Sequence, residues 1–355
     1  MTRKSKIFKF VFLLLFILTY SINNSPSFDI NKEYIVIYES WFNILSKFYL
    51  IFNFSVGDIL YLITPIIIIF YYFKIKRRRD KLIYILKVPL IIYCFFYWSW
   101  GFNYNKNSEF ESLKKNTYSL EDLSLTTQFY INKVNDLQVN LSQSEENKVE
   151  SKLSFNDIKI KCIKTINNQD WSLINKKLNN FPVKKSLFST PLSYMGFSGY
   201  INPFTLEANI NYNIPNISLP VTITHEIAHQ IGYAFEDEAN FIAIKTLTKS
   251  NYNFLQYSGN LIAVQYLLSE IRKLDSKNYN YYLKQLNIGV VKNIKEKNDY
   301  YLKFENKFED YFKKGYDIFL KNNNQKAGLK TYSLVIDLLI NDYQSNIKES
   351  NSLST

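Results

Sequence analysis

The sequence is poor in the residue types that most often mark reactive or cross-linked sites. Its 355 residues include only two cysteines and two histidines. Cys94 lies in an apolar run and Cys162 in the more polar part of the chain. The two are poorly placed to pair, so no disulfide framework is expected. Hydrophobic residues make up 47% of the chain and aromatic residues 17%, a composition that excludes a disordered protein.

Positive charge is unevenly distributed along the chain. The formal net charge is +12. Residues 1–101 contain 13 basic and 5 acidic residues, whereas the rest contains 30 and 26. A nucleic-acid-binding protein would carry its excess on the folded domain. Here the excess lies beside apolar segments, so we expect a lipid bilayer and no nucleic acid as partner.

Three apolar segments open the chain, at residues 8–20, 56–73 and 82–102. The first is short and follows a basic tail, which is also typical of a signal sequence. No small-residue cleavage site follows it, so an uncleaved anchor is predicted. The other two are long enough to cross a bilayer. Residues 41–54 are apolar at helical spacing but include Lys47, which predicts an interfacial or packed helix.

The basic residues predict the orientation of these spans. The loop KIKRRRDK at 74–81 separates the second and third segments, and the N-terminal tail is also basic. Both mark the cytoplasmic side under the positive-inside rule. The sequence therefore predicts a multi-pass protein of the plasma (inner) membrane, with everything after Gly101 outside the cytoplasm.

Both histidines of the chain lie in one short motif, TITHEIAHQIG. His225, Glu226 and His229 form HExxH. On a helix, positions four apart share a face, so both imidazoles can reach one zinc ion at about 2.0–2.1 Å. Glu226 then occupies the general-base position of metalloproteases. The alternative is a helix with two hydrogen-bonded core histidines.

A catalytic zinc ion needs a third protein ligand, and no third histidine exists. The ligand must be a carboxylate or Cys162. Glu236 lies seven residues beyond His229, about 10 Å further along a continuous helix, which is too far. Gly232 is where the helix can end in a left-handed turn. A second helix starting near Glu236 would then return to the metal.

At this point the chain resembles the gluzincins, zinc peptidases with HExxH and a glutamate from a following helix. The segment EDEAN at 236–240 is similar to their E-x-x-A-D/N helix. The resemblance implies that Glu236 is the third ligand and that Asn240 supports a zinc histidine. Glu238 and Glu207 remain the alternative ligands. The metzincin pattern is rejected, because Phe235 occupies the position of its third histidine.

A second resemblance covers most of the chain. The N-terminal spans, GYINPFTLEANINYN, HEIAHQIGYAFEDEANFIA and GLKTYSLVIDLLI are together similar to an uncharacterised bacterial family of membrane proteins, mainly from Bacteroidetes. That family has no known function and is inferred to contain a zincin-like HExxH domain. The resemblance implies a zinc site and identifies no substrate.

Two further charged residues have competing interpretations. Glu207 belongs to a strand-like alternation at 206–212, where zincins bind substrate backbone, but it can equally be a structural carboxylate. Arg272 is the only arginine after the membrane segments and could stabilise an oxyanion. Its surroundings, EIRKLD, are more typical of a solvated helix face.

These observations predict a helix-rich α+β protein, with N-terminal transmembrane helices followed by a zincin-like metallopeptidase domain. The expected divisions are a membrane domain with two to three spans at 1–102, a mainly helical region at 103–185, the catalytic domain at 186–345 and a disordered tail at 346–355. The predicted function is a membrane-anchored zinc metallopeptidase acting on a peptide or protein substrate. A non-catalytic zinc-binding sensor or scaffold of the cell envelope is the alternative.

Overall fold

The protein is built mainly of helices. The computed structural model describes residues 3–24, 30–114, 117–169, 178 and 180–352. The helices are α1 Arg3–Asn24, α2 Ile30–Tyr49, α3 Val56–Lys74, α4 Arg78–Ser99, α5 Glu111–Lys114, α6 Leu120–Ser142, α7 Phe155–Asn167, α8 Ser189–Met195, α9 Leu219–Ile231, α10 Glu236–Thr248, α11 Asn253–Leu274, α12 Ser276–Leu283, α13 Ile288–Phe304, α14 Glu309–Asn322 and α15 Val335–Ser352. Short 3-10 helices occupy Gly101–Asn105, Asn216–Ser218 and Gly328–Leu334.

Helices α3 and α4 are long and apolar enough to cross a membrane. Only 11% of the apolar stretch of α3 and 17% of that of α4 is buried within the protein. They cover most of the two longer apolar segments of the sequence. The basic segment 74–81 lies where the two helices meet, since Lys74 ends α3 and α4 begins at Arg78. Helix α1 contains a shorter apolar stretch, Phe12–Asn24, and packs beside α4, where the Trp98 indole donates to Thr19 Oγ1 at 2.9 Å.

Helix α2 covers most of the segment predicted as an interfacial or packed helix. Tyr34, Tyr38 and Phe42 lie on its buried face, one helical turn apart. The Tyr38 hydroxyl donates to the carbonyl of Gln230 in α9 at 2.8 Å. Within the predicted segment, residues 41–49 are therefore helical and packed, with Phe42 buried in the core, whereas residues 50–54 lie beyond the helix.

The small sheet has three strands, β1 Val183–Lys185, β2 Gly199–Ile201 and β3 Ala208–Ile210. The order is β1-β3-β2, with β1 parallel and β2 antiparallel to β3. Within the alternation at 206–212, only residues Ala208–Ile210 form a strand, β3, which is entirely buried and lies in the centre of the sheet. Strand β2 lies at the edge of the sheet, on the side that faces α9.

Buried carboxylates join the sheet to the first turn of α3. Glu207 accepts hydrogen bonds from the backbone N–H of Val56 at 3.2 Å, from that of Gly57 at 2.6 Å and from the Thr205 hydroxyl at 2.9 Å. A helix N-terminus favours a negative charge, because its first N–H groups have no intrahelical partner. The structural interpretation of Glu207 is the one that the structure supports.

Asp58 makes the reciprocal contact from α3 to the sheet region. Its carboxylate accepts from Ser186 Oγ at 3.0 Å and from the Leu187 N–H at 2.6 Å, and the Tyr200 hydroxyl also donates to it. Gly57 allows this close approach, since a Cβ there would lie 2.5 Å from Asn202 Nδ2. The start of α3, a helix long and apolar enough to cross a membrane, is therefore fixed to the sheet.

The core of the remaining chain is a layer of helices around α11, which packs against α6, α10 and α9. The capping box of Ser119 and Asp122 begins α6. The described part of the region 103–185 is mainly helical, as expected. Cys94 and Cys162 are both free and buried.

The C-terminal region differs from the expectation at its end. Residues 328–334 form a 3-10 helix, and α15 begins only at Val335. Helix α15 continues to Ser352, across most of the segment predicted as a disordered tail. The first turns of α15 are buried in the core, and extending a helix from a packed start costs little. The division into domains stays a prediction.

We expect Glu207→Ala to lower the free energy of unfolding by about 1–3 kcal/mol, because two buried N–H groups at the start of α3 lose their acceptor. Thermal unfolding of the detergent-solubilised protein measures this change. Glu305→Ala, which removes an exposed glutamate, is the control. Equal unfolding temperatures for the two variants would show that the contact contributes nothing.

Candidate metal centre

The turn after α9 brings Glu236 back to the histidines. Helix α9 has Pro220 in its first turn, where the fixed φ of proline suits a helix, and it ends at Gly232. Gly232 has φ +107°, and its N–H bonds the last carbonyls of the helix. Helix α10 starts at Glu236. The predicted helix break and the predicted second helix are both confirmed.

Three ligand atoms meet between α9 and α10. The Nε2 atoms of His225 and His229 lie 3.1 Å apart. Glu236 Oε2 is 3.2 Å from Nε2 of His225 and 3.6 Å from Nε2 of His229. Ligands of a tetrahedral zinc ion at about 2.0–2.1 Å are about 3.3–3.4 Å apart. Both the donor types and their spacing therefore fit a zinc ion.

Neighbouring groups fix the orientation of two of these ligands. The His229 Nδ1 atom lies 2.7 Å from the carbonyl of Tyr233, so it carries the proton and leaves Nε2 free as a ligand. The Tyr316 hydroxyl donates to Glu236 Oε1 at 2.6 Å, which leaves Oε2 towards the histidines. The Trp100 indole donates to the His229 carbonyl at 3.2 Å. Such partners hold metal ligands in place.

Glu236 and His229 stabilise each other's charged forms. Burial opposes ionisation of Glu236, but the two adjacent imidazoles hold its pKa well below its usual range. Burial also lowers the pKa of His229, but the Glu236 carboxylate outweighs this effect and raises the pKa to about 9. An ionised carboxylate is the form that binds a cation, so Glu236 is ready to act as a ligand.

Glu226 lies beside the cluster and is not part of it. Its side chain is buried, and Oε2 has no hydrogen-bond partner among the described residues. Burial raises its pKa to about 7, close to the value that suits a general base near neutral pH. Gly199 of the edge strand makes room for this carboxylate, since a Cβ there would lie 2.8 Å from Glu226 Oε1.

The other ligand candidates lie elsewhere. Glu238 and Asp237 both pair with Lys114, at 2.9 and 2.8 Å. Glu207 caps α3, as described above. Cys162 is buried in α7, where its nearest polar partner is the carbonyl of Pro220 at 3.8 Å. Among the described residues, the group that could hold a metal ion is His225, His229 and Glu236.

Asn240 and Arg272 have different positions relative to the site. Asn240 lines a cavity together with His225 and Glu226. Its Nδ2 and the His225 Nδ1 atom are both buried without a hydrogen-bond partner among the described residues, so the hydrogen bond implied by the gluzincin resemblance is not formed. Arg272 lies on an exposed face of α11 over the ring of Tyr279, at 5.8 Å, which fits the solvated-face interpretation.

Sequence reasoning missed Tyr316, Trp100 and Gly199. Tyr316 is one of 29 tyrosines and lies 80 residues from Glu236, so no spacing signal marks it. Trp100 lies near the end of the third apolar segment, where an interfacial aromatic residue is the ordinary interpretation. Gly199 precedes the predicted strand in a segment with other turn residues. Only the fold brings these three to the motif.

We expect His225→Ala, His229→Ala and Glu236→Ala each to weaken zinc binding by at least about 100-fold. Loss of a residue that only hydrogen-bonds a metal ligand already lowers metal affinity about 10–100-fold. Competition with a chromophoric chelator measures the affinity. Glu238→Ala is the matched control, two positions away, and should bind zinc like the wild type because Asp237 remains beside Lys114. Loss of zinc in this control and retention in Glu236→Ala would refute the assignment.

Comparison with known proteins identifies a family for the chain. No curated protein and no solved structure matched it. Residues 34–340 match a protein family of unknown function, DUF3810. The match begins in α2 and ends in α15, so it includes α3, α4 and the whole candidate metal centre. The chain therefore belongs to the DUF3810 family.

Proposed function

We propose that this protein is a membrane-anchored zinc metallopeptidase. The observation that carries the proposal is the convergence of His225, His229 and Glu236 next to a buried carboxylate, Glu226, that takes no part in the cluster. Core histidines would need only hydrogen-bond partners. Here three ligand atoms point at one another at zinc-like spacing, and a candidate base lies beside them.

The residues of the candidate site have separate roles in this proposal. His225, His229 and Glu236 would hold the zinc ion. When bound, zinc polarises a carbonyl group and lowers the pKa of water. Glu226 takes the proton of the attacking water and delivers it to the leaving amine. Tyr316 acts through Glu236 as a positioning residue.

The arrangement of the helix ends supports a multi-pass protein of the plasma (inner) membrane with its site outside the cytoplasm. The start of α3 contacts Glu207, and Trp100, directly after α4, contacts His229. The end of α1 lies beside the same region, with Asn105 Nδ2 3.3 Å from Asn23 Oδ1. The basic loop 74–81 lies at the other ends of α3 and α4. This charge distribution agrees with the positive-inside rule.

Glu226→Gln tests the enzymatic proposal. The amide keeps the size of the side chain but cannot accept a proton, so we expect unchanged zinc content and a loss of hydrolysis of at least about 100-fold. The measurement is cleavage of a proteome-derived peptide library by the full-length protein, read by mass spectrometry. Glu305→Gln, at an exposed position, is the control.

Two results would contradict the proposal. Wild-type cleavage by Glu226→Gln would remove the base from the mechanism. A wild-type protein that holds zinc and cleaves no peptide would instead favour a non-catalytic zinc-binding sensor or scaffold.

A further inference from the structure

Two cavities meet at the candidate site. His225, Glu226 and Gly199 line both of them. One, the membrane-side cavity, has a volume of about 450 Å³ and lies between the site and helices α3 and α4. The other, the lysine cavity, has a volume of about 330 Å³ and is lined by α11 and α13. Each cavity indicates a different property of the substrate.

The membrane-side cavity extends to the level of the start of α3 and the end of α4, which are the outer ends of the two proposed spans. Tyr61 of α3 and Phe96 of α4 form part of its wall. Tyr61 is five residues into α3, about 8 Å from its start, and Phe96 is three residues before the end of α4, about 5 Å. A group that occupies this cavity is therefore level with the edge of the bilayer.

The wall of this cavity suits an apolar group attached to a polypeptide. Leu192, Phe197 and Phe319 give it an apolar surface. Edge strand β2 also lines it. The bonds from Asn211 N to Ser198 O and from Asn202 N to Glu207 O flank this strand, so the backbone groups of Gly199 and Ile201 point away from β3. Backbone groups of this kind pair with a peptide and not with an acyl chain.

We propose that the substrate is a membrane-inserted polypeptide, bound just outside its span, with an apolar side chain in the membrane-side cavity. This inference rests on the proposed peptidase function.

The test of this inference measures binding, so that it does not depend on turnover. The protein is the zinc-loaded Glu226→Gln variant in lipid vesicles. The probes are fluorescent peptides attached to a Leu/Ala span, with either leucine or serine in the residues next to the span.

We expect the leucine-flanked probe to bind about 10–100-fold more tightly than the serine-flanked one, as burial of a large apolar side chain implies. Ile201→Trp, which narrows the cavity, should remove this preference. Ile318→Trp, at an exposed position outside the cavity, should retain it. Equal binding of both probes would overturn the inference, as would equally tight binding of an acylated serine peptide. If only the peptidase proposal is wrong, the binding preference will remain and the wild-type protein will cleave no peptide.

A second, independent observation concerns the lysine cavity. Lys297 is half-buried there, and its Nζ donates to Gln265 Oε1 at 2.7 Å. Among the described residues it forms no ion pair, whereas Lys313 in the same wall pairs with Glu309 at 2.6 Å. Burial lowers the pKa of Lys297 to about 8, so the ammonium group is still mostly charged at pH 7. A half-buried ammonium group that has one amide partner and no ion pair can accept an anionic group of a ligand in this cavity.

We infer that Lys297 binds a carboxylate of the peptide substrate, either an acidic side chain or a free C-terminus. In the Glu226→Gln background, Lys297→Met should weaken binding of acidic peptides about 10–100-fold and leave uncharged peptides unchanged. Lys295→Met, on an exposed face of the same helix, is the control. Peptides with an amidated C-terminus and peptides with glutamine in place of glutamate distinguish the two sources. An equal effect of Lys297→Met on charged and uncharged peptides would refute the inference.

Discussion

The left-handed turn at Gly232 is the constraint on which the candidate site depends. A helix that continued past His229 would carry Glu236 about 10 Å away from the histidines. The turn ends α9, starts α10 four residues later and returns the carboxylate to within 3.2 Å of His225. A residue with a Cβ would strain this backbone and would also meet Lys106. The ligand set therefore follows from one backbone conformation.

A second constraint ties this site to the membrane helices. Glu207 and Asp58 bind the sheet region to the start of α3, and Trp100 binds the end of α4 to the carbonyl of His229. These hydrogen bonds are 2.6–3.2 Å long and at least partly buried, so they hold the start of α3 and the end of α4 close to the HExxH helix. The proposed enzyme would therefore act at the bilayer surface. Peptides that diffuse far from the membrane would be poor substrates on this account.

Local patterns in the sequence predicted the elements that depend on neighbours in the chain. The HExxH spacing, the break at Gly232 and the helix from Glu236 all follow from interactions within a few residues. Contacts between distant segments could not be predicted. Tyr316 reaches Glu236 across 80 residues, and Glu207 reaches Gly57 across 150. No pattern in a single sequence reveals contacts between such distant residues. Glu207 could therefore be read either as part of a substrate-binding strand or as a structural carboxylate, and its contacts in the fold support the second interpretation.

The central claim is that one zinc ion is held by two imidazoles and a carboxylate. X-ray absorption spectroscopy at the zinc edge of the purified full-length protein tests it most directly. The account predicts one zinc with two imidazole nitrogens and oxygen ligands at about 2.0–2.2 Å, and no sulfur. A sulfur ligand at about 2.3 Å, or the absence of imidazole scattering, would contradict it.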